Sequence, residues 1–359
     1  MTTVEIHQPE TIDVPTEVPP RRKLPALRLS VGKHTGLVLA FAVVIVYFWA
    51  TQPIFMSWGN ITNIVSSNSV VLVLAIGATL VVISGGLDLS TSSAAVVCGM
   101  ALGFSLKNGA SFIVALLITL ALGLVLGLVN GIMIAWVKMS FLVVTLGTMS
   151  IYSSLALVSN HGTTINVFSR PGFHPIYTFV NGRVGDIPYI MIFDVALALL
   201  AGAVLRYTSY GRSLFAVGSN VEAARINGVS VSRIVLSTYL LAGLTAGIAA
   251  LIQVGRLTGA APQVDATQLM AVLAAVLIGG TAFSGGEGGI FGTVLGVLFL
   301  GAITNGLTIS QVSAFWQGAV NGGILLLAVL LSTARDRGWF KRKHKATRAP
   351  SPLVLEPAG

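Results

Sequence analysis

Few side chains in this sequence are spaced for bond-making chemistry. A phosphate-cradling loop needs Gly-x4-Gly-Lys-Ser/Thr, yet the only Gly-Lys pair, Gly32-Lys33, runs into His34 and has Leu27 where the first glycine belongs. No His-Glu-x-x-His or Gly-x-Ser-x-Gly arrangement is present to hold zinc or to raise a nucleophile. His161 and His174 stand alone at no metal-ligand spacing. The single cysteine, Cys98, lies among small apolar neighbours where packing is favoured over reactivity. The expectation is a chain that is not an enzyme, has no metal and no cofactor of its own, and leaves any ATP to a partner subunit.

The spacing with the clearest mechanical reading lies between Gly211 and Gly228. Ser219 and Glu222 are three apart, the capping-box interval, so each could satisfy an orphan amide at a helix start, and Glu222 suits the positive end of the dipole. A short helix is predicted there, with Ala223 and Ala224 inside it and Gly228 at the left-handed stop. Some two turns cannot stand alone in water, so the segment docks on something. A partner protein and the chain's own membrane face are equal candidates on these residues.

Six further polar residues lie in or beside apolar runs and could line a path for a polar solute: Asp88, Ser90, Asn130, Thr145, Gln253 and Asn305. For Asp88 the favoured role is instead an N-cap of the following helix. Asn130 and Asn305 each precede glycine, where helix termination competes with solute contact. Coupling to an ion gradient would predict several ionisable residues in mid-span. Only Asp194 approaches this, some five residues into its run, where an interfacial place is the simpler reading.

The elements that must position these groups are set by composition. Hydrophobic residues make up 54% of the 359 and charged ones only 9%, against about a quarter charged in a soluble domain. Apolar runs long enough to cross a hydrocarbon core of roughly 30 Å recur along the chain. The predicted fold is all-α, a polytopic transmembrane helical bundle with about ten spans near 36–56, 64–84, 89–106, 111–137, 141–158, 189–206, 235–254, 269–283, 288–309 and 315–333. The third is the weakest, because Ser90, Thr91, Ser92 and Ser93 make its start polar, and it could be partly re-entrant.

Charge orients the bundle. With both termini cytoplasmic, all of the 21 Lys+Arg except Lys107, Arg170, Arg183 and Arg256 fall on the inner side. The basic balance therefore argues for membrane orientation and not for nucleic acid. Residues 1–33 read as a disordered cytoplasmic tail, 34–334 as the membrane domain with its inner loop at 207–234, and 335–359 as a basic cytoplasmic tail facing anionic membrane lipids. The first apolar run reads as an uncleaved anchor, not as a removable signal peptide. The outer connection 159–188 is either a docking surface or a solvated loop.

Glycine repeats at helical spacing inside the spans: Gly123/Gly127/Gly131, Gly243/Gly247 and Gly288/Gly292/Gly296. Such runs let helix backbones approach closely in lipid. An inverted repeat is hinted at by Asp88 preceding Asn130-Gly131 and Asp265 preceding Asn305-Gly306 at similar distances, in spans of opposite direction. In a chain this rich in glycine, chance would produce the same two pairs.

Glu222-Ala223-Ala224 followed by Gly228 resembles the coupling loop of bacterial ATP-binding-cassette importer permeases. Five further segments, in order, are similar to the ribose-type monosaccharide permease family: Gly85-Gly86-Leu87-Asp88-Leu89-Ser90, Asn130-Gly131, Val144 to Ser150, Tyr210-Gly211-Arg212, and Gly279-Gly280-Thr281 with Gly285-Gly286-x-Gly288. The likeness spans roughly 36–333.

It implies a two-copy pore, homodimeric or heterodimeric, in the bacterial cytoplasmic (inner) membrane. It also implies a cytoplasmic ATP-binding-cassette ATPase that receives Glu222, Ala223, Ala224 and Gly228, and an extracytoplasmic solute-binding protein. Two departures stand out: Lys138-Met139-Ser140-Phe141 replaces prolines common in the family, and Glu287 adds a charge to the glycine-rich turn. An ion-coupled secondary transporter of a small polar solute is the competing class.

Overall fold

A computed structural model describes residues 34–313, 316–320, 322–324, 326, 327 and 330. The expected tails at 1–33 and 335–359 lie outside the described residues, as does part of the expected span at 315–333.

Among the described residues the regular structure is helical apart from four two-residue strands. Its helices are α1 (Thr35–Thr51), α2 (Trp58–Ser67), α3 (Ser69–Ile83), α4 (Thr91–Lys107), α5 (Phe112–Ala135), α6 (Phe141–Ser159), α7 (His174–Asn181), α8 (Tyr189–Tyr207), α9 (Ser209–Ser219), α10 (Val221–Ile226), α11 (Val231–Leu257), α12 (Ala266–Ile278) and α13 (Ile290–Ile309). By length and composition five of them, α5, α6, α8, α11 and α13, can cross a membrane, and α2 with α3 makes a sixth, bent by 46°. Helices α1, α4 and α12 are apolar but shorter. This is the fold of a polytopic helical membrane protein.

Two expected spans are interrupted for visible reasons. The first stops at Thr51, because Pro53 disfavours helix in the residue before it, and Gln52 is extended (φ −138°, ψ 90°). The second breaks at Asn68, whose Nδ2 donates to Ile64 O at 2.7 Å. Carbonyls freed by the bend are satisfied from outside: Arg256 on α11 donates to Ser66 O at 3.1 Å and to Ser67 O at 2.6 Å. Backbone groups at membrane depth demand such partners.

Helix α11 lies at the centre, against α5, α3 and α4, while α3 also leans on α12 and α13. The glycine runs read from the sequence meet here. A Cβ on Gly123 would overlap the Gly243 carbonyl, and one on Gly127 would overlap the Tyr239 carbonyl, so α5 and α11 cross backbone on backbone. Gly296 similarly faces Ala275 O on α12. Cys98 is fully buried in α4, a packing residue as expected.

The connection at 159–188 is a packed cap and not a merely solvated loop. Strand β1 (Ile165–Asn166) pairs antiparallel with β4 (Gly259–Ala260), in register Ile165↔Ala260, and β2 (Arg183–Val184) pairs with β3 (Ile187–Pro188). Within it Phe173, Ile176 and Val180 are buried.

Candidate functional site

The short helix expected after α9 is present as α10, but its cap differs from the sequence reading. Asn220, extended at φ −161° and ψ 105°, is the N-cap, and its Oδ1 accepts from Ala223 N at 2.9 Å. Ser219 still belongs to α9, and its hydroxyl donates back to Phe215 O at 2.8 Å. The residue that leaves helical dihedrals is the one whose side chain reaches the first free amides, and that is Asn220. Glu222 is thereby one place too early for a capping box and pairs with Arg225 at 2.7 Å on an exposed face.

The far end follows the sequence reading. Gly228 takes φ +79°, with its N–H on Arg225 O at 3.0 Å and Val229 N on Ala224 O at 3.0 Å. Of the six residues of α10 only Ala224 is buried, and Val221 and Ile226 are exposed.

Behind α10, the end of α9 is wedged into a joint of three backbones. A Cβ on Gly218 would overlap Ile83 O at the end of α3 and lie 2.5 Å from Gly286 N in the α12–α13 turn. Gly286 N donates to the same Ile83 O at 2.9 Å; Gly286 takes φ +73°, and an added Cβ there would overlap Ser219. Leu214 and Val217 bury the inner face of α9. Its other flank is tied to α11 where the Ser237 hydroxyl donates to Tyr210 Oη at 3.1 Å, and burial holds the Tyr210 phenol above its ordinary titration range. The end of α9, on which α10 packs, thus contacts both α3 and the α12–α13 turn.

Three of the six candidate path residues come together. Asp88 Oδ1 accepts from Ser90 N at 2.9 Å and from the Ser90 hydroxyl at 2.6 Å, and Asn130 Nδ2 donates to that hydroxyl at 2.8 Å. All three are buried. Asp88 is thus not the helix cap that was favoured from sequence: Ser90 holds that position, and Asp88 forms a turn on it two residues earlier. Nor does Asn130 end a helix, since α5 continues to Ala135. Asn130 Oδ1 and Ser92 Oγ have no protein partner. Tyr239 on α11 reaches the same turn, donating to Leu87 O at 3.4 Å.

The other three lie apart. Thr145 is buried and donates to Phe141 O of its own helix at 2.8 Å. Gln253 borders a void of about 10 Å³ beside Gly99 and Ala260, room for a single water and no solute. Asn305 lies within α13 and exchanges amide hydrogen bonds with Asn60 at 2.9 and 3.0 Å.

Sequence reading missed the roles of Asn60 and Arg256 and the bond from the Ser69 hydroxyl to Asp194 Oδ1 at 2.7 Å, which engages an Asp194 that is buried in the protein. Each joins residues more than a hundred positions apart, beyond the reach of local patterns. Among the described residues no group of three His, Cys, Asp or Glu could hold a metal ion.

Comparison with known proteins adds the wider context. The model of the family described as branched-chain amino acid transport system / permease component matches residues 60–329. The chain is 36% identical over 313 residues to the ribose import permease protein RbsC of Bacillus subtilis (strain 168), covering 86% of this chain and 95% of that protein. It is 34% identical over 302 residues to the probable ABC transporter permease protein y4mJ of Sinorhizobium fredii (strain NBRC 101917 / NGR234), with 83% and 89% covered. With the D-allose transport system permease protein AlsC of Escherichia coli (strain K12) it shares 30% over 301 residues, with 82% and 90% covered. No solved structure matches the chain.

Proposed function

Since this chain belongs to the family of branched-chain amino acid transport system permease components, transporter subunits and not enzymes, we propose that it forms the translocation path for a monosaccharide or related small polar solute in an ATP-binding-cassette importer. A separate ATPase drives it, and a solute-binding protein on the outer face delivers the cargo. The family description speaks of amino acids, whereas relatives matched over nine-tenths or more of their length are named for ribose, allose and autoinducer 2. That near-complete match favours a sugar.

One observation carries the coupling role: α10 offers every residue but Ala224 to the outside, while α9 behind it is locked by Gly218 onto the backbones of α3 and the α12–α13 turn. A motor that grips Glu222, Ala223 and their exposed neighbours would move two membrane helices at once. Such a push needs a bistable packing of helices, and the backbone-on-backbone crossing at Gly123, Gly127 and Gly243 is a surface on which one could occur.

The same reading has ten spans with both ends cytoplasmic, in a bacterial inner membrane, and a pore of two copies, alike or paired with a second permease. An inverted repeat is part of it. In its favour, Asp265 Oδ1 accepts from Thr267 N and Oγ1 at 2.8 and 2.6 Å, the same turn that Asp88 makes with Ser90. Each turn opens a helix that is followed by one carrying an asparagine, and α11 leans on α4 and α5 as α3 leans on α12 and α13. In this account Asp88, Ser90 and Asn130 hold the helix break that borders the path, and Thr145, Gln253 and Asn305 serve packing.

The test is reconstitution with the cognate ATPase and binding protein, the latter first screened by thermal shift against sugars, polyols and amino acids. Uptake should follow ATP, persist with an ionophore present, and fail when Glu222 and Arg225 are both replaced by alanine. Uptake that collapses with the ionophore at constant ATP would favour the ion-coupled reading, for which Asp194 and Asp88 are buried carboxyls.

A further inference from the structure

Between α8 and α13, with the α2–α3 break behind them, the surface opens into a groove of about 910 Å³. Its walls are hydrocarbon, with Leu72, Leu199, Phe215, Phe291, Val294 and Leu298 among them. Two ionisable groups mark its length. Asp194 is buried at one end, its Oδ1 engaged by Ser69 and its Oδ2 without a protein donor. Arg206 lies at the other, about 18 Å farther along α8 at the helical rise. It is exposed, with its guanidinium 5.7 Å from the centre of the exposed Tyr207 ring. An arginine beside a tyrosine at a helix end is the pattern of the headgroup belt.

In a membrane protein a concave apolar wall is filled by hydrocarbon, and the charges decide which amphiphile fits. A cation at one end attracts a phosphate, and a carboxyl at the other disfavours one. We propose that this groove holds a single anionic phospholipid, its phosphate at Arg206 and an acyl chain lying along α8 toward Asp194. The site is independent of which solute the protein carries. A single surface cation gives roughly a five-fold preference for an anionic over a zwitterionic headgroup.

The experiment is native mass spectrometry of the full-length chain in detergent, titrated with phosphatidylglycerol and with phosphatidylcholine of the same acyl chains. One phosphatidylglycerol should be retained at roughly five-fold lower concentration than phosphatidylcholine. Arg206→Gln should bring the two lipids level, while Lys138→Gln, on a residue outside the groove, should leave the preference intact. Gly202→Leu should weaken both lipids, because a side chain there enters the groove, where a Cβ meets only Ile290 Cβ at 3.9 Å. An unchanged thermal midpoint shows that this variant is folded.

Equal retention of both lipids by the unaltered chain would overturn the proposal, as would a preference that survives Arg206→Gln. So would a chain that takes up lipid only after residues 1–33 are removed. Helix α1 starts beside Phe291, with the His34 ring 5.8 Å from it, and such a result would make the chain's own leading segment the occupant. A lipid-free dimer would assign the groove to a second copy and equally refute it.

Discussion

Replacing Gly218 with alanine adds one methyl group at the joint of α9, α3 and the α12–α13 turn. At an open helical position the change from glycine to alanine stabilises by about 0.5–1 kcal/mol. Here the new carbon would overlap Ile83 O and lie 3.0 Å from Ile83 C and 2.5 Å from Gly286 N. These are backbone atoms, which cannot rotate aside as a side chain would. Forced overpacking costs about 1–3 kcal/mol, and separating Gly286 from Ile83 weakens a 2.9 Å hydrogen bond worth about 1 kcal/mol. Overpacking exceeds the propensity gain, so the expected net effect is a loss of about 1–3 kcal/mol. Gly147→Ala on α6 is the control, since nothing lies within 4 Å of a Cβ there, and it should hold or raise stability. Thermal unfolding in nanodiscs compares the two, and ATP hydrolysed per solute imported reads the coupling, which should worsen for Gly218→Ala alone. If Gly218→Ala stabilises as Gly147→Ala does and leaves the transport ratio unchanged, the joint does not transmit the motion.

Asn220→Ala should lower α10 stability by about 1 kcal/mol and weaken ATPase association in a pull-down, whereas Ser219→Ala should leave both nearly unchanged. Arg256→Gln removes the guanidinium from Ser66 O, Ser67 O and Ser67 Oγ and should cost about 1.5–3 kcal/mol, read as a lower thermal midpoint and faster amide exchange around Asn68. A double-mutant cycle on Asn60→Ala and Asn305→Ala should give a coupling of about 0.5–3 kcal/mol, with near-additive losses refuting the paired amides.

Much of the fold was legible because lipid imposes one rule on every span. Each expected span up to 288–309 overlaps helix, although the second is split between α2 and α3 and α1, α4 and α12 fall short of a full span, and the glycine intervals at Gly123, Gly127 and Gly243 do mark close crossings. Gly228 was legible for a local reason, since only a residue free of a Cβ takes φ +79° without strain. What failed did so where two local candidates compete or where the partner is remote. Ser219 and Asn220 both cap well, and which one leaves the helix is decided by the fit of α9 into its joint. The α2–α3 break depends on Arg256, nearly two hundred residues away, so hydropathy alone drew one straight span. Asp88, Ser90 and Asn130 were picked out as polar residues in an apolar setting, and they do meet, but as a hydrogen-bonded unit and not as an open surface.

Helix α10 is anchored by a single methyl, that of Ala224, and shows its other five side chains to the outside. Substitutions among those five change little that the chain needs in order to fold, because exposed replacements away from caps and partners cost within about half a kcal/mol. Under the proposed coupling role, recognition of a motor subunit would be separable from assembly of the bundle. On that proposal selection could retune which motor docks, or how tightly, without passing through unfolded intermediates, and an engineer could transplant the six-residue segment between related chains on the same ground.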